Sequence, residues 1–83
     1  MEKLVGKVIH YFDKAMVAVV KVSDSLVVGD TVKIKKGEQE LTLTIDSMEI
    51  EHAKVEAVEV GDEVAIKVSE PIKNGSEVYK IEN

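Results

Sequence analysis

The chain has 83 residues, of which 33% are charged, with a formal net charge of −5 and a sequence pI ≈ 5.0; this is enough for one domain with a single modest core, placed over residues 1–83. It contains no cysteine, and all 11 basic residues are lysine, which excludes disulfides, thiolate metal sites, a cysteine nucleophile and bidentate arginine forks to phosphate. The acidic balance opposes non-specific attachment to a nucleic-acid backbone, no apolar run approaches the roughly 20 residues of a membrane span, and the N-terminus lacks a signal peptide's apolar region, so a cytoplasmic protein is expected.

Valine dominates the apolar residues, and β-branched side chains favour strands. Residues 3–11 read as the first strand, with Leu4, Gly6 and Val8 on one face and Val5, Ile9 and Tyr11 on the other. Both faces are apolar, as in a strand covered on both sides or closing a small barrel. Gly6 permits a sharp bend or a close backbone approach. Phe12-Asp13-Lys14 is a short polar break, and residues 15–22 form a second strand joined to the first as a hairpin. Ser23-Asp24-Ser25 supplies turn chemistry. Leu26 to Asp30 leads into a third strand over residues 31–36, and a turn at residues 36–39 follows.

The next strand, residues 40–50, changes parity. Leu41, Leu43 and Ile45 alternate, but Met48 and Ile50 fall on the opposite set, which a side-chain period of two forbids in one regular strand. A β-bulge or bend is expected at Asp46-Ser47. Residues 52–59 read as irregular or a single helical turn. Gly61-Asp62 then opens a strand over residues 63–69, in which Val64, Ile66 and Val68 point one way and Glu63, Ala65 and Lys67 the other. Pro71 ends it, Asn74-Gly75 signals a hairpin turn, and residues 77–81 form the last strand. Six short strands with dense turns and no helix predict an all-β, closed or nearly closed Greek-key barrel.

Two lead-ins share one grammar. Val27-Val28-Gly29-Asp30 precedes Val32 and Ile34, and Val60-Gly61-Asp62 precedes Val64 and Ile66. Glycine allows positive φ and the aspartate can bond nearby backbone, so Gly29, Asp30, Gly61 and Asp62, with Gly75, are structural turn residues. With Gly6-Lys7-Val8, Ile45 to Ile50 and Gly75 before Val78, these motifs occur in an order that resembles the second domain of translational GTPases such as elongation factor Tu, a small β-barrel. The resemblance covers nearly the whole chain. It extends to stand-alone elongation-factor-like small proteins and to the C-terminal barrel of collagenase-type peptidases. No phosphate loop ending in Lys-Ser or Lys-Thr is present, so no nucleoside triphosphate is bound. In elongation factor Tu this barrel helps hold the aminoacylated 3′ end of tRNA. The resemblance implies that Glu49 matches a carboxylate that can accept from a ribose hydroxyl. His52 stands where that family has arginine.

Glu49, Glu51 and His52 form the densest titratable cluster. Strand alternation puts the two glutamates on one face and His52 on the other, a poor geometry for shared metal ligation, so a solvated strand end is the simpler reading and no metal is expected. Tyr11, Phe12 and Lys14 could stack and bind an unpaired base; alternatively Tyr11 or Phe12 plugs one end of the barrel. Lys33, Lys35 and Lys36 form the local basic patch, read as a guard against edge-to-edge pairing. No serine–histidine nucleophile arrangement is visible, so the chain reads as a non-catalytic module without a cofactor. Two partner classes follow: RNA or a ribonucleoprotein, or alternatively a protein such as a collagenase-type peptidase on which an accessory barrel docks.

Overall fold

A computed structural model of the protein describes residues 2–82. Ten strands run through them: β1 (Glu2–Phe12), β2 (Val17–Val22), β3 (Leu26–Val27), β4 (Thr31–Lys36), β5 (Gln39–Thr44), β6 (Met48–Ile50), β7 (Ala53–Val55), β8 (Ala57–Val58), β9 (Glu63–Lys67) and β10 (Glu77–Ile81). No helix among the described residues is long and apolar enough to cross a membrane. Eight strands form one sheet in the order β5-β4-β10-β1-β2-β9-β6-β7, and β3 pairs with β8 in a separate ribbon.

The all-β expectation holds; the described residues form ten strands rather than six, and the sheet of the expected closed or nearly closed barrel does not close on itself. The sheet is open: β5 and β7 are its edges, and no ladder joins them. The β3–β8 ribbon lies at the opening. It follows β7 through the single residue Glu56, whose carbonyl accepts from Val28 N–H to extend the ribbon, and it meets the β5 edge through two bonds, Gly29 N–H donating to Ile45 O and Ile45 N–H to Asp30 O, each at 2.9 Å. The expected long strand over residues 40–50 is split by a break at residues 45–47, where the parity change requires one. Ile45 and Met48 can then both be buried, at 1% exposure each. Residues 52–59, expected to be irregular, contain β7 and β8.

β1 also departs from simple alternation. Its register slips between Leu4 and Gly6 against β10, and between Val8 and His10 against β2. These bulges allow Val5 and Val8, of opposite parity, both to face the core, while Leu4 and Ile9 stay exposed. Asn74-Gly75 makes a turn with Gly75 at φ 87°, but not a hairpin. β9 pairs with β2 and β6, whereas β10 pairs with β1 and β4. The turn instead docks on β1, with Gly75 N–H donating to Val8 O and Val8 N–H donating to Ser76 O.

One core unites sheet and ribbon. It takes Val5 and Val8 from β1, Ala18, Val20 and Val22 from β2, Leu26 from β3, Val32 and Ile34 from β4, Met48, Val58, Val64, Ile66 and Val78 from later strands, and the linking Ile45 and Val68. Burying such aliphatic side chains stabilises by about 1.5–3 kcal/mol each. The core contains no fully buried aromatic. Tyr11 packs against it half-buried, with its hydroxyl 3.2 Å from Met16 Sδ, whereas Phe12 is 50% exposed. Tyr11 therefore fills the structural role that the sequence left open between the two rings.

The repeated Gly-Asp lead-ins adopt the same structure. Gly29 and Gly61 have φ of 99° and 93°. Asp30 N–H donates to Val27 O and Asp62 N–H to Glu59 O, both at 3.1 Å. Asp30 Oδ2 accepts from Val27 N–H and Asp62 Oδ2 from Glu59 N–H, both at 2.9 Å. Each aspartate thus locks its own turn by reaching three residues back along the chain. Both turns also exchange a pair of bonds with a strand end, Gly29 and Asp30 with Ile45, and Gly61 and Asp62 with Val22. Beyond them the ladders correspond: β4 lies between β5 and β10, and β9 lies between β2 and β6. The domain therefore contains two related three-stranded halves, β5-β4-β10 and β2-β9-β6. Leu26 and Val58, equivalent positions of the two lead-ins, pair directly in the ribbon.

Candidate functional site: an acid-rimmed groove

On the outer face of the β2-β9-β6 half the residues that alternate away from the core create a shallow groove. Val17 and Val19 project outward from β2, Glu63, Ala65 and Lys67 from β9, and Glu49 from β6. The ladders place Val19, Ala65 and Glu49 in one cross-strand row, with Val17 opposite Lys67 in the next. Ala65 is the smallest residue at the centre of this surface, which makes it concave. The groove has a volume of about 950 Å³, and Phe12, Ala15, Ser47, Ile50, Glu51, His52, Gly61 and Asp62 complete its walls.

Three local structures set the walls. Phe12 stands at the end of β1, its ring 4.4 Å from that of His10 in an edge contact. At the opposite side the β6–β7 hairpin closes through only two residues, since Ile50 pairs with Ala53. The loop residues, Glu51 at φ 50° and His52 at φ 67°, both take the left-handed conformation of a type I′ turn. The Gly61-Asp62 turn forms the remaining end. The sequence expected His52 on the opposite strand face from Glu49 and Glu51, but the strand ends at Ile50, and all three residues line the groove. Among the described residues no three His, Asp or Glu side chains converge as metal ligands do.

The structure therefore brings Phe12 to the same groove as Glu49 and His52, which the sequence had grouped without it, and leaves Tyr11 and Lys14 off the groove. Gly61 and Asp62, read as turn residues, serve the turn and line the site as well. Val19 and Ala65 were missed. Their alternation was legible, but only the pairing of β2 with β9 shows that they meet. Electrostatically the groove presents four carboxylates, Glu49, Glu51, Asp62 and Glu63, against Lys67 and His52. Phosphate-binding surfaces have the reverse polarity.

The lysine patch also reads differently in three dimensions. β4 is internal to the sheet, so Lys33 guards no edge. Lys33 Nζ lies 2.6 Å from Glu2 Oε2 and 3.6 Å from Glu40 Oε1. The hydrogen bond to Lys33 holds the Glu2 carboxyl below the usual carboxylate range, and the same bond raises the Lys33 ammonium. Lys3 and Asp24, 2.8 Å apart, shift in the same directions for the same reason.

Fold and groove together define a small all-β domain with a shallow, acid-rimmed groove on one face of its sheet. No protein-family model matches the chain. The uncharacterized protease MJ0090 of Methanocaldococcus jannaschii is 30% identical to it over 76 residues, 90% of this chain and 19% of that protein. The chain thus spans about a fifth of the length of this curated relative. Among solved structures, the C-terminal domain of a U32 peptidase of Geobacillus thermoleovorans superposes with a TM-score of 0.89 at 22% identity, over 96% of this chain and 93% of that one. The selenomethionine variant of that domain gives 0.86, covering 92% and 96%. These matches place the fold with the peptidase C-terminal domain, one branch of the sequence resemblance, and lend no support to the elongation factor Tu branch.

Proposed function

We propose that this chain is a non-catalytic accessory domain that docks on the body of a peptidase-type protein. The observation that carries this reading is the extent of the match: nearly the whole chain corresponds to a small part of a protein named as a protease, and its fold is that of a peptidase's C-terminal domain. The groove supports the same reading, because a solvent-facing apolar floor with a charged rim suits a protein surface. The RNA-binding alternative loses support from the acidic lining and from the lack of arginine in the chain.

The test is direct. A U32-type peptidase lacking its C-terminal domain is mixed with this chain, and the mass of any complex is read by size exclusion with light scattering. A stoichiometric complex at micromolar concentrations is expected, together with a higher melting temperature of the peptidase body. Free migration of both proteins at those concentrations overturns the proposal.

A further inference from the structure

The two related halves of the sheet differ at the position that decides what each can hold. In the β5-β4-β10 half the central outward residue is Lys33, in register with Thr42 and Tyr79. In the β2-β9-β6 half its counterpart is Ala65, in register with Val19 and Glu49. Lys33 covers its half and neutralises Glu2 and Glu40. Ala65 leaves a recess instead, and no ion pair among the described residues engages Glu49, Glu51 or Glu63 around it. One half supplies its own cation at the central position, and the other carries alanine there, with Lys67 in the next row as the groove's lysine.

We infer that the groove receives a lysine side chain from an extended segment of a protein partner. Its ammonium occupies the place over Ala65 that Lys33 fills in the other half, between Glu49 and Glu63. Aliphatic neighbours in that segment cover Phe12, Val17 and Val19. Charge complementarity selects a cation and repels a phosphate chain. The apolar floor selects a cation embedded in apolar chain, since a free amine would leave Val17, Val19 and Phe12 wet. The volume of about 950 Å³ is ample for several residues. The backbone of the β6–β7 turn points to the same surface: two left-handed non-glycine residues, Glu51 and His52, line the groove, and strain of this kind gathers at binding sites. This inference rests on the docking role proposed above and names the face and the chemistry through which docking occurs.

The probe is the peptide acetyl-Leu-Lys-Leu-amide, titrated into the isotopically labelled protein and followed by amide chemical shifts. Saturable shifts are expected at Val19, Glu49, Ala65 and their neighbours, with affinity about tenfold weaker in molar salt. Acetyl-Leu-Glu-Leu-amide should produce none. Ala65→Lys, which supplies the missing cation within the chain, should abolish binding of the lysine peptide, whereas Ala65→Ser should retain it. Ala65 faces outward, so both variants should keep the dispersed spectrum of the folded chain. If Ala65→Lys does not fold, the pair Glu49→Gln and Glu63→Gln, expected to weaken binding at least about fivefold, makes the same test.

Equal response to both peptides, shifts confined to another face, undiminished binding by Ala65→Lys, or preferential response to a short CCA-ended single-stranded RNA each overturns the inference. The peptidase-body experiment separates this failure from failure of the docking role. A complex that survives Ala65→Lys overturns the groove assignment and leaves the docking role standing. Peptide binding at the groove without any complex overturns the docking role alone.

Discussion

Gly6 is the residue where main chain and neighbouring strand come closest. A Cβ built there would lie 2.6 Å from Val20 Cγ1 and 2.8 Å from the backbone oxygen of Lys21. The side chain could turn away, but the carbonyl belongs to the β1–β2 ladder, in which Gly6 pairs with Val22 and Lys7 with Lys21. Relief therefore requires the strands to separate. Gly6→Ala should destabilise the protein by about 2–3 kcal/mol, as overpacking does elsewhere, seen as a lower urea midpoint with an unchanged slope. A loss under about 0.5 kcal/mol, the range of neutral surface changes, would show that the ladder shifts freely. At this scale the sequence was informative, because a glycine in an apolar strand marks a bend or a close contact. It was silent about Ala65. A small residue on an outward face carries no signal until the neighbouring strand is known.

The β6–β7 hairpin shows at the level of the element why residues 52–59 were unreadable. Two-residue type I′ turns are announced by Asn-Gly or Asp-Gly, and here Glu51-His52 does the work with both φ values positive. Neither residue favours that region, where side chains of L-residues crowd the following carbonyl at about 1–2 kcal/mol each. The strongest hairpin signal in the chain, Asn74-Gly75, joins segments that pair with other strands. Turn chemistry specifies a local bend, and only the tertiary ladder decides whether the flanking strands are partners. Replacing Glu51 with Asn and His52 with Gly together should raise stability by about 1–2 kcal/mol, measured by chemical denaturation, while the amide spectrum of β6 and β7 stays in place. The same double variant should bind the lysine peptide more weakly, since one rim carboxylate is gone. A loss of stability would mean that the Glu51 and His52 side chains hold the hairpin through contacts worth more than the strain. By contrast, the Gly-Asp lead-ins were legible because glycine and aspartate each have a conformational reason to be there, and both turns carry it out in the same way.

For the whole molecule, the arrangement of the halves sets how it folds. Neither is continuous in sequence: β10 completes the half begun by β4 and β5, while β6 and β9 complete the half begun by β2. β1 binds the two together, with β10 on one side and β2 on the other, and its first residues pair with the last strand, Glu2 opposite Ile81. The core is likewise shared, drawing on residues from Val5 to Val78. A fragment ending at residue 50 keeps the β1–β2 and β4–β5 hairpins but loses β9 and β10. It would leave Val5, Val20 and Ile34 without their covering strands, and isolated hairpins are marginal in water. Such a fragment should be unstructured by circular dichroism. The intact chain should unfold in a single transition whose calorimetric and van't Hoff enthalpies agree. Pairing the first strand with the last also brings a long loop-closure cost before the central ladders form. Refolding should therefore take milliseconds to seconds, as in other domains built from non-local strand pairs. Two resolved melting transitions, or a folded 1–50 fragment, would mean that one half is stable alone and that the second was fitted onto it.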